Sequence, residues 1–357
     1  ALSACEGAPP SEAPASVDAL QDQDVAVERV RKAPGVDYIF YPGEPMKPAY
    51  RTAFEPLKAD EQDDIRWSNP ERYSITTKPP AAARPMVEWE PMQSIVMSTP
   101  QWITTYAGAK DTVTQIAVNA ATVGEVWFVV DTNTAVNNLK GLMVDAGMNQ
   151  DVMDAQVKFL IEPIDSIWFI DSGPFPLVDD ATDTFAFTDF RYYWDRALDD
   201  GIPTFLGRNL PDQAPISTYR MPLNTEGGTI QATSDGICIT GNRQLYYMSC
   251  DDGGCDQDIR TMPLDEVQTH PLAEEVRQIW KDYAGCKDTI ITHSITDDGT
   301  GHIDMYLKIA SDNVVIIGDY MEELEQSEVW TFQTQNRERM DENAAFLEAY
   351  VKPDGTS

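Results

Sequence analysis

The chain of 357 residues carries 59 acidic against 26 basic side chains, a formal charge of −33, with 42% hydrophobic and 10% aromatic residues. That length and apolar content suffice to bury one large core or two smaller ones and exclude a wholly disordered chain. So acidic a surface repels nucleic-acid phosphates and anionic membranes; it suits a cationic ligand, or simply keeps the protein soluble in a salty medium. No apolar run reaches the roughly 18 residues that a membrane-spanning helix needs.

At the start, Leu2-Ser3-Ala4-Cys5 resembles the lipobox that ends a bacterial lipoprotein signal peptide, with Cys5 as the lipidated residue. Residues 6–24, rich in Ala, Pro, Ser, Asp and Gln, have the composition of a solvated tether. An exported protein is expected on these grounds, periplasmic or extracellular, touching a membrane only through the anchor. Export makes the other cysteines candidates for disulfides. Cys250 and Cys255 flank the turn Asp251-Asp252-Gly253-Gly254 and are placed to pair, with Cys238 or Cys286 as substitute partners. Their spacing does not fit a zinc site, and no metal or cofactor is expected.

Residues 25–84 read as an extension that wraps the domain, with a short helix over 25–32 and an extended, Pro-rich lead-in from Lys78. The catalytic domain is expected over 85–357. Ser94–Ser98, Val126–Val130 and Val157–Ile161 are strand-like runs. They alternate with helical spacing over 111–121, where Val113, Ile116, Ala117 and Ala120 share a side, and over 134–146. Further on, 237–240, 289–292 and 314–317 read as strands, 263–283 as one long amphipathic helix and 336–351 as another. Strands and helices alternating in this way predict an α/β architecture of repeated units. No Gly-x-Gly-x-x-Gly or Walker-type loop supports nucleotide binding.

Four stretches carry chemistry. Asp297-Asp298-Gly299-Thr300-Gly301-His302-Ile303-Asp304 delivers a His and an Asp onto an expected strand, where positions i and i+2 share a face. Asp165-Ser166-Ile167-Trp168-Phe169-Ile170-Asp171-Ser172-Gly173-Pro174 ends in an Asp beside a Gly-Pro turn. In Asn224-Thr225-Glu226-Gly227-Gly228 a carboxylate precedes two glycines that permit close backbone approach. Trp89-Glu90-Pro91 opens the first unit. Taken singly, each reads equally well as an ordinary turn.

Together and in this order, the four stretches resemble the agmatine deiminase and bacterial peptidylarginine deiminase family over about residues 85–350. The resemblance implies a pentein fold, a five-bladed α/β propeller, here lacking its C-terminal blade. It implies a hydrolase that turns a guanidinium into a ureido group and releases ammonia, as in citrulline formation or putrescine biosynthesis. An amidinotransferase, with an amine in place of water, is a variant of the same chemistry. By the resemblance Asp171 and Asp304 hold the guanidinium, His302 is the general acid and base, Trp168 lines the pocket and Glu226 supports the site. The ligand is a small guanidine or an arginine-containing peptide.

Two departures stand out. Ile170 occupies the place where the family usually has Arg. The family's nucleophilic Cys, which follows the His-x-Asp segment by a blade, has no counterpart in the chain. The sequence is therefore read either as a fragment of the enzyme or as a non-catalytic, surface-anchored protein that binds arginine-like cations.

Overall fold

A computed structural model describes residues 78–192, 196–249, 255–296, 298, 300–319, 333–353 and 355. Cys5, the tether over 1–24, the helix expected over 25–32 and Cys250 lie outside the described residues.

The described chain begins by binding itself to the body of the domain. Lys78 pairs with Asp282 at 2.5 Å, and β1 (Arg84–Pro85) adds to a sheet edge. The first expected unit forms as read: β2 (Ser94–Ser98), α1 (Ala109–Ala120), β3 (Glu125–Val130), α2 (Asn133–Asp145), α3 (Gln150–Gln156) and β4 (Val157–Ile161). Its three strands are parallel, with Ile95 opposite Val126 and Val126 opposite Val157. Phe128, Val130, Leu139 and Met143 fill the space between sheet and helices. Thr132 caps α2, its hydroxyl accepting from the Ala135 N–H at 3.1 Å. The helical face expected on α1 is only partly right, since Ala117 is buried while Ile116 is 45% exposed.

Next comes a region that the hydrophobic pattern did not disclose. After the short helix α4 (Phe169–Ser172), β5 (Phe175–Asp179) and β6 (Thr184–Arg191) form an antiparallel pair. Then α5 (Ala197–Asp200) and α6 (Ile202–Asn209) lead to β7 (Ser217–Asn224), parallel to β6. With β1 they make a mixed four-stranded sheet. The third sheet holds β8 (Ile230–Ala232), β9 (Ile237–Gly241) and, after the helices α7 (Arg243–Met248), α8 (Leu264–Thr269) and α9 (Pro271–Ala284), β10 (Asp288–Thr292). β8 and β9 are antiparallel and β9 and β10 parallel. β11 (Leu307–Ser311) and β12 (Val314–Ile317) form a hairpin, followed by α10 (Gln333–Ala349). The α/β architecture is thus present, as four separate sheets with mixed strand directions among the described residues.

The single helix expected over 263–283 is two. Pro271 lacks an N–H and disfavours helical geometry in the residue before it, so His270 is extended (φ −62°, ψ 139°). His270 then caps the new helix, Nδ1 accepting from the Leu272 N–H at 3.2 Å. Trp280, fully buried, centres the largest core, where α9 packs on the third sheet. Within that core Cys238 and Cys286 form a disulfide. Cys255 is also disulfide-bonded; Cys238 and Cys286 therefore pair with each other rather than serving as its substitute partners.

Candidate active site

Three short turns far apart in the chain converge here: the helix that carries Asp171, the 3-10 turn capped by Glu226, and the one that carries His302 and Asp304. The meeting point is His302. Its Nε2 lies 2.5 Å from Glu226 Oε2, and its Nδ1 lies 3.8 Å from Asp171 Oδ1 and 3.9 Å from Asp304 Oδ1. Glu226 (3% exposed), Asp171 (7%) and His302 (8%) are buried, whereas the Asp304 side chain keeps 36% of its surface. The cluster is therefore a pit with one carboxylate at its mouth.

Glycines allow the convergence. A Cβ on Gly227 would stand 1.8 Å from the Ile170 carbonyl oxygen, and one on Gly228 would stand 2.6 Å from His302 Nδ1 and 3.0 Å from Asp304 Oδ2. The Glu226 segment meets the Ile170 backbone at Gly227 and the His302 and Asp304 side chains at Gly228, the close approach that the Glu-Gly-Gly pattern suggested.

His302 and Asp304 do not lie on a strand as expected. Ile303–Met305 is a 3-10 turn with His302 at its leading edge, and the strand starts only at Leu307. The turn is built by Asp298, whose Oδ2 accepts the N–H groups of Gly301 at 2.6 Å and His302 at 3.0 Å, while Oδ1 accepts that of Thr300 at 3.1 Å. Gly301 takes a left-handed φ of 75° there. These carboxylate-to-backbone bonds replace the strand ladder that the pattern predicted, since Asp competes for nearby N–H groups.

The Asp171 segment is held in a similar way. Asp199 accepts from Asp165 N–H at 2.7 Å, Ser166 N–H at 3.2 Å and the Ser166 hydroxyl at 2.5 Å. Asp165 in turn accepts from Leu198 N–H at 2.8 Å. This clamp fixes the approach to Trp168, which is 36% exposed, and to Ile170, which is 59% exposed. Asp298 and Asp199 were not singled out from the sequence. An Asp just ahead of a Gly-Thr-Gly turn was the available signal for the first; nothing local marks the second, which acts across 33 residues.

The electrostatics follow from burial and crowding. Burial opposes the charged form of His302, yet the hydrogen bond and charge of Glu226, reinforced by Asp171 and Asp304, outweigh it and raise the imidazole to about 9. Burial pushes Asp171 up to about 7 against the pull of His302. Burial also raises Glu226 and Asp304, each opposed by the same imidazole. Burial disfavours the charged forms of Asp171, Glu226 and Asp304, His302 opposes this in all three and Arg196 in the first two, and a bound cation would favour the charged carboxylates further.

Asp171, Glu226 and His302 could each turn one ligand atom to a metal, those atoms lying within 4.8 Å of one another. A metal needs the imidazole lone pair, and this His is raised and tied to Glu226, so the set suits an organic cation better. Among the described residues, Cys238, Cys255 and Cys286 are disulfide-bonded, so none of them offers a thiolate to this cluster.

The α/β fold has relatives among solved structures. The solved structures similar to it include the C. jejuni agmatine deiminase in a Cys-to-Ser variant with substrate bound, at 15% identity and a TM-score of 0.54. That match covers 74% of this chain and 71% of that one. An agmatine deiminase of Enterococcus faecalis matches at 15% identity and a TM-score of 0.56, over 79% of this chain and 71% of that one. No curated protein sequence matches. The family model for Porphyromonas-type peptidyl-arginine deiminase matches residues 84–356, and the chain belongs to that family, within the pentein superfamily.

Proposed function

We propose that this site binds a guanidinium, of agmatine or of peptidyl-arginine, and, served by a cysteine nucleophile, hydrolyses it to a ureido group and ammonia. The observation that carries the reading is His302 set within 4 Å of three carboxylates, two of them facing the same ring nitrogen. Asp171 and Asp304, on the Nδ1 side, take the planar N–H donors and turn the guanidinium carbon toward a nucleophile. Trp168 lines the approach and Glu226 keeps the imidazole charged and oriented.

The reaction begins when a cysteine thiolate adds to the guanidinium carbon. His302 gives its proton to the departing nitrogen, which leaves as ammonia, and a covalent S-alkylthiouronium remains. The imidazole, now neutral, removes a proton from water as the water adds to that carbon. Expulsion of the thiolate leaves the ureido product. The nucleophile and the closing blade of a five-bladed propeller are part of this proposal; the cysteine is not among the described residues that surround His302. Export fits the same picture. A disulfide in the core belongs with an oxidising compartment, and Cys5 would carry the lipid anchor.

One observation favours a second reading, a cation-binding protein without turnover: the described cysteines are committed to disulfides. Both readings are tested by offering acetyl-arginine amide and agmatine to this chain and to the product of its whole natural gene. The enzyme reading expects binding by both proteins, with ammonia released alongside citrulline or carbamoylputrescine from the natural form alone, and none after His302→Ala. Binding without turnover in either form selects the second reading. Absence of binding overturns both.

A further inference from the structure

Trp89-Glu90-Pro91 is the one motif that the guanidinium site does not absorb. Glu90 faces away from the cluster: its carboxylate takes both Arg84 Nη1 and Nη2, at 3.1 and 2.7 Å, and the Val87 N–H at 2.9 Å. Arg84 is held in turn by Asp180, Nε to Oδ2 at 2.6 Å. Glu90 is therefore a brace. What it fixes is the turn that leaves Trp89 40% and Met92 58% exposed.

Those two side chains overhang a cavity of about 170 Å³, whose other walls include Ile170, Phe175, Ile230 and Ile309. Each segment that supplies a carboxylate to His302 also continues into this cavity. Ile170 precedes Asp171, Gly227 follows Glu226, and Lys308 comes four residues after Asp304; all three line it. The Ile170 and Gly227 backbones meet at the partition between the two spaces. A Glu88–Lys308 ion pair stands at the exposed rim, so the charges there are matched and the interior is apolar. A cavity of this size accepts one benzene-sized group.

We propose that this cavity is a second subsite of the same substrate, taking the apolar side chain of a residue next to the arginine, and that the substrate class is therefore a peptide with a hydrophobic neighbour rather than a free small guanidine. The proposal rests on the guanidinium-binding function given above. A small guanidine fills the carboxylate pit and leaves the apolar cavity to water, whereas a peptide satisfies both. Trp89 and Met92 set the choice of neighbour, and the Glu90 brace holds them in position.

The test is calorimetric binding to the full chain of acetyl-Leu-Arg-amide and acetyl-Arg-Leu-amide, of their Gly counterparts, and of agmatine. One of the two Leu peptides is expected to bind about tenfold more tightly than its Gly counterpart, the effect of removing one apolar side chain from water. Ala232→Met, which fills the cavity from β8, should remove that preference while agmatine binds as before. Trp89→Ala, at an exposed position that tolerates truncation, should weaken the preference and serves if the first variant fails to fold. If Gly and Leu peptides bind alike while agmatine still binds, the subsite is overturned and the guanidinium site stands. If no guanidine binds, the underlying reading fails, and this one with it.

Discussion

Among the described residues, two clusters of buried carboxylates differ in the cation at their centre, a guanidinium in one and an imidazole in the other. In the second sheet, Arg220 lies between Asp200, which takes Nη2 at 3.0 and 2.8 Å, and Asp189, which takes Nη1 at 2.8 Å. All three side chains are almost wholly buried. Around His302, Asp171 and Glu226 are similarly enclosed while Asp304 is partly open, and an imidazole stands among them in place of the guanidinium. The first cluster closes on its own cation, with Asp189 Oδ1 left without a hydrogen-bond partner, and serves stability. The second keeps Asp304 partly open at its mouth, which suits binding. The chain thus carries within itself an example of the contact proposed for its ligand: two aspartates closing on a planar cation.

The largest expected effect breaks the first cluster. Arg220→Met leaves two carboxylates without their cation and should cost about 3–5 kcal/mol in chemical denaturation. An unchanged midpoint would mean that the network contributes nothing. The same kind of cut in the second cluster should behave in the opposite way. Asp171→Asn should lower affinity for acetyl-arginine amide about a hundredfold by calorimetry, the loss of a charge-assisted pair, yet leave stability equal or slightly higher, because burial already disfavours that charge. A fall in stability matching that of Arg220→Met would erase the distinction.

A pH dependence sharpens it. His302, raised to about 9, binds its proton more tightly in the folded than in the unfolded chain. Its stabilisation is complete below the unfolded value of roughly 6.5 and is lost as pH rises through 9, by about 1.4 kcal/mol per unit between. Asp171 is raised only to about 7 and adds no slope above that; Glu226 and Asp304 are raised in the same direction, so a variant is needed to apportion the decline. Glu226→Gln should flatten the decline and lower the His302 titration followed by NMR. An unaltered titration would remove Glu226 as the cause.

The residues that converge on His302 were more legible in the sequence than the fold that presents them. Asp171, Glu226, His302 and Asp304 were marked by the residues beside them, because glycines and a Gly-Pro turn are needed where backbones meet. β2, β3 and β4 stood out because a parallel sheet covered on both faces is written as continuous apolar runs. β5, β6 and β7 did not, since they mix Pro, Asp, Thr and Arg with aromatics. Thr188, Asp189 and Arg220 are buried in them as polar groups with partners on other elements, which defeats any reading by hydropathy. The geometry at His302 was misread for a related reason: Asp298, not a strand partner, satisfies the backbone there.

Gly227 and Gly228 divide the molecule into what is fixed and what is free to vary. With no side chain at either position, the Ile170 backbone closes on Gly227 and the His302 and Asp304 side chains close on Gly228, so the spacing of the charged groups depends on these two residues staying bare. A substitution there shifts the whole gauge or is rejected. Adaptation to new substrates is left to Trp89 and Met92, exposed side chains carried on a separately braced turn. Related proteins can then differ in what they select while keeping the same grip on the group that reacts.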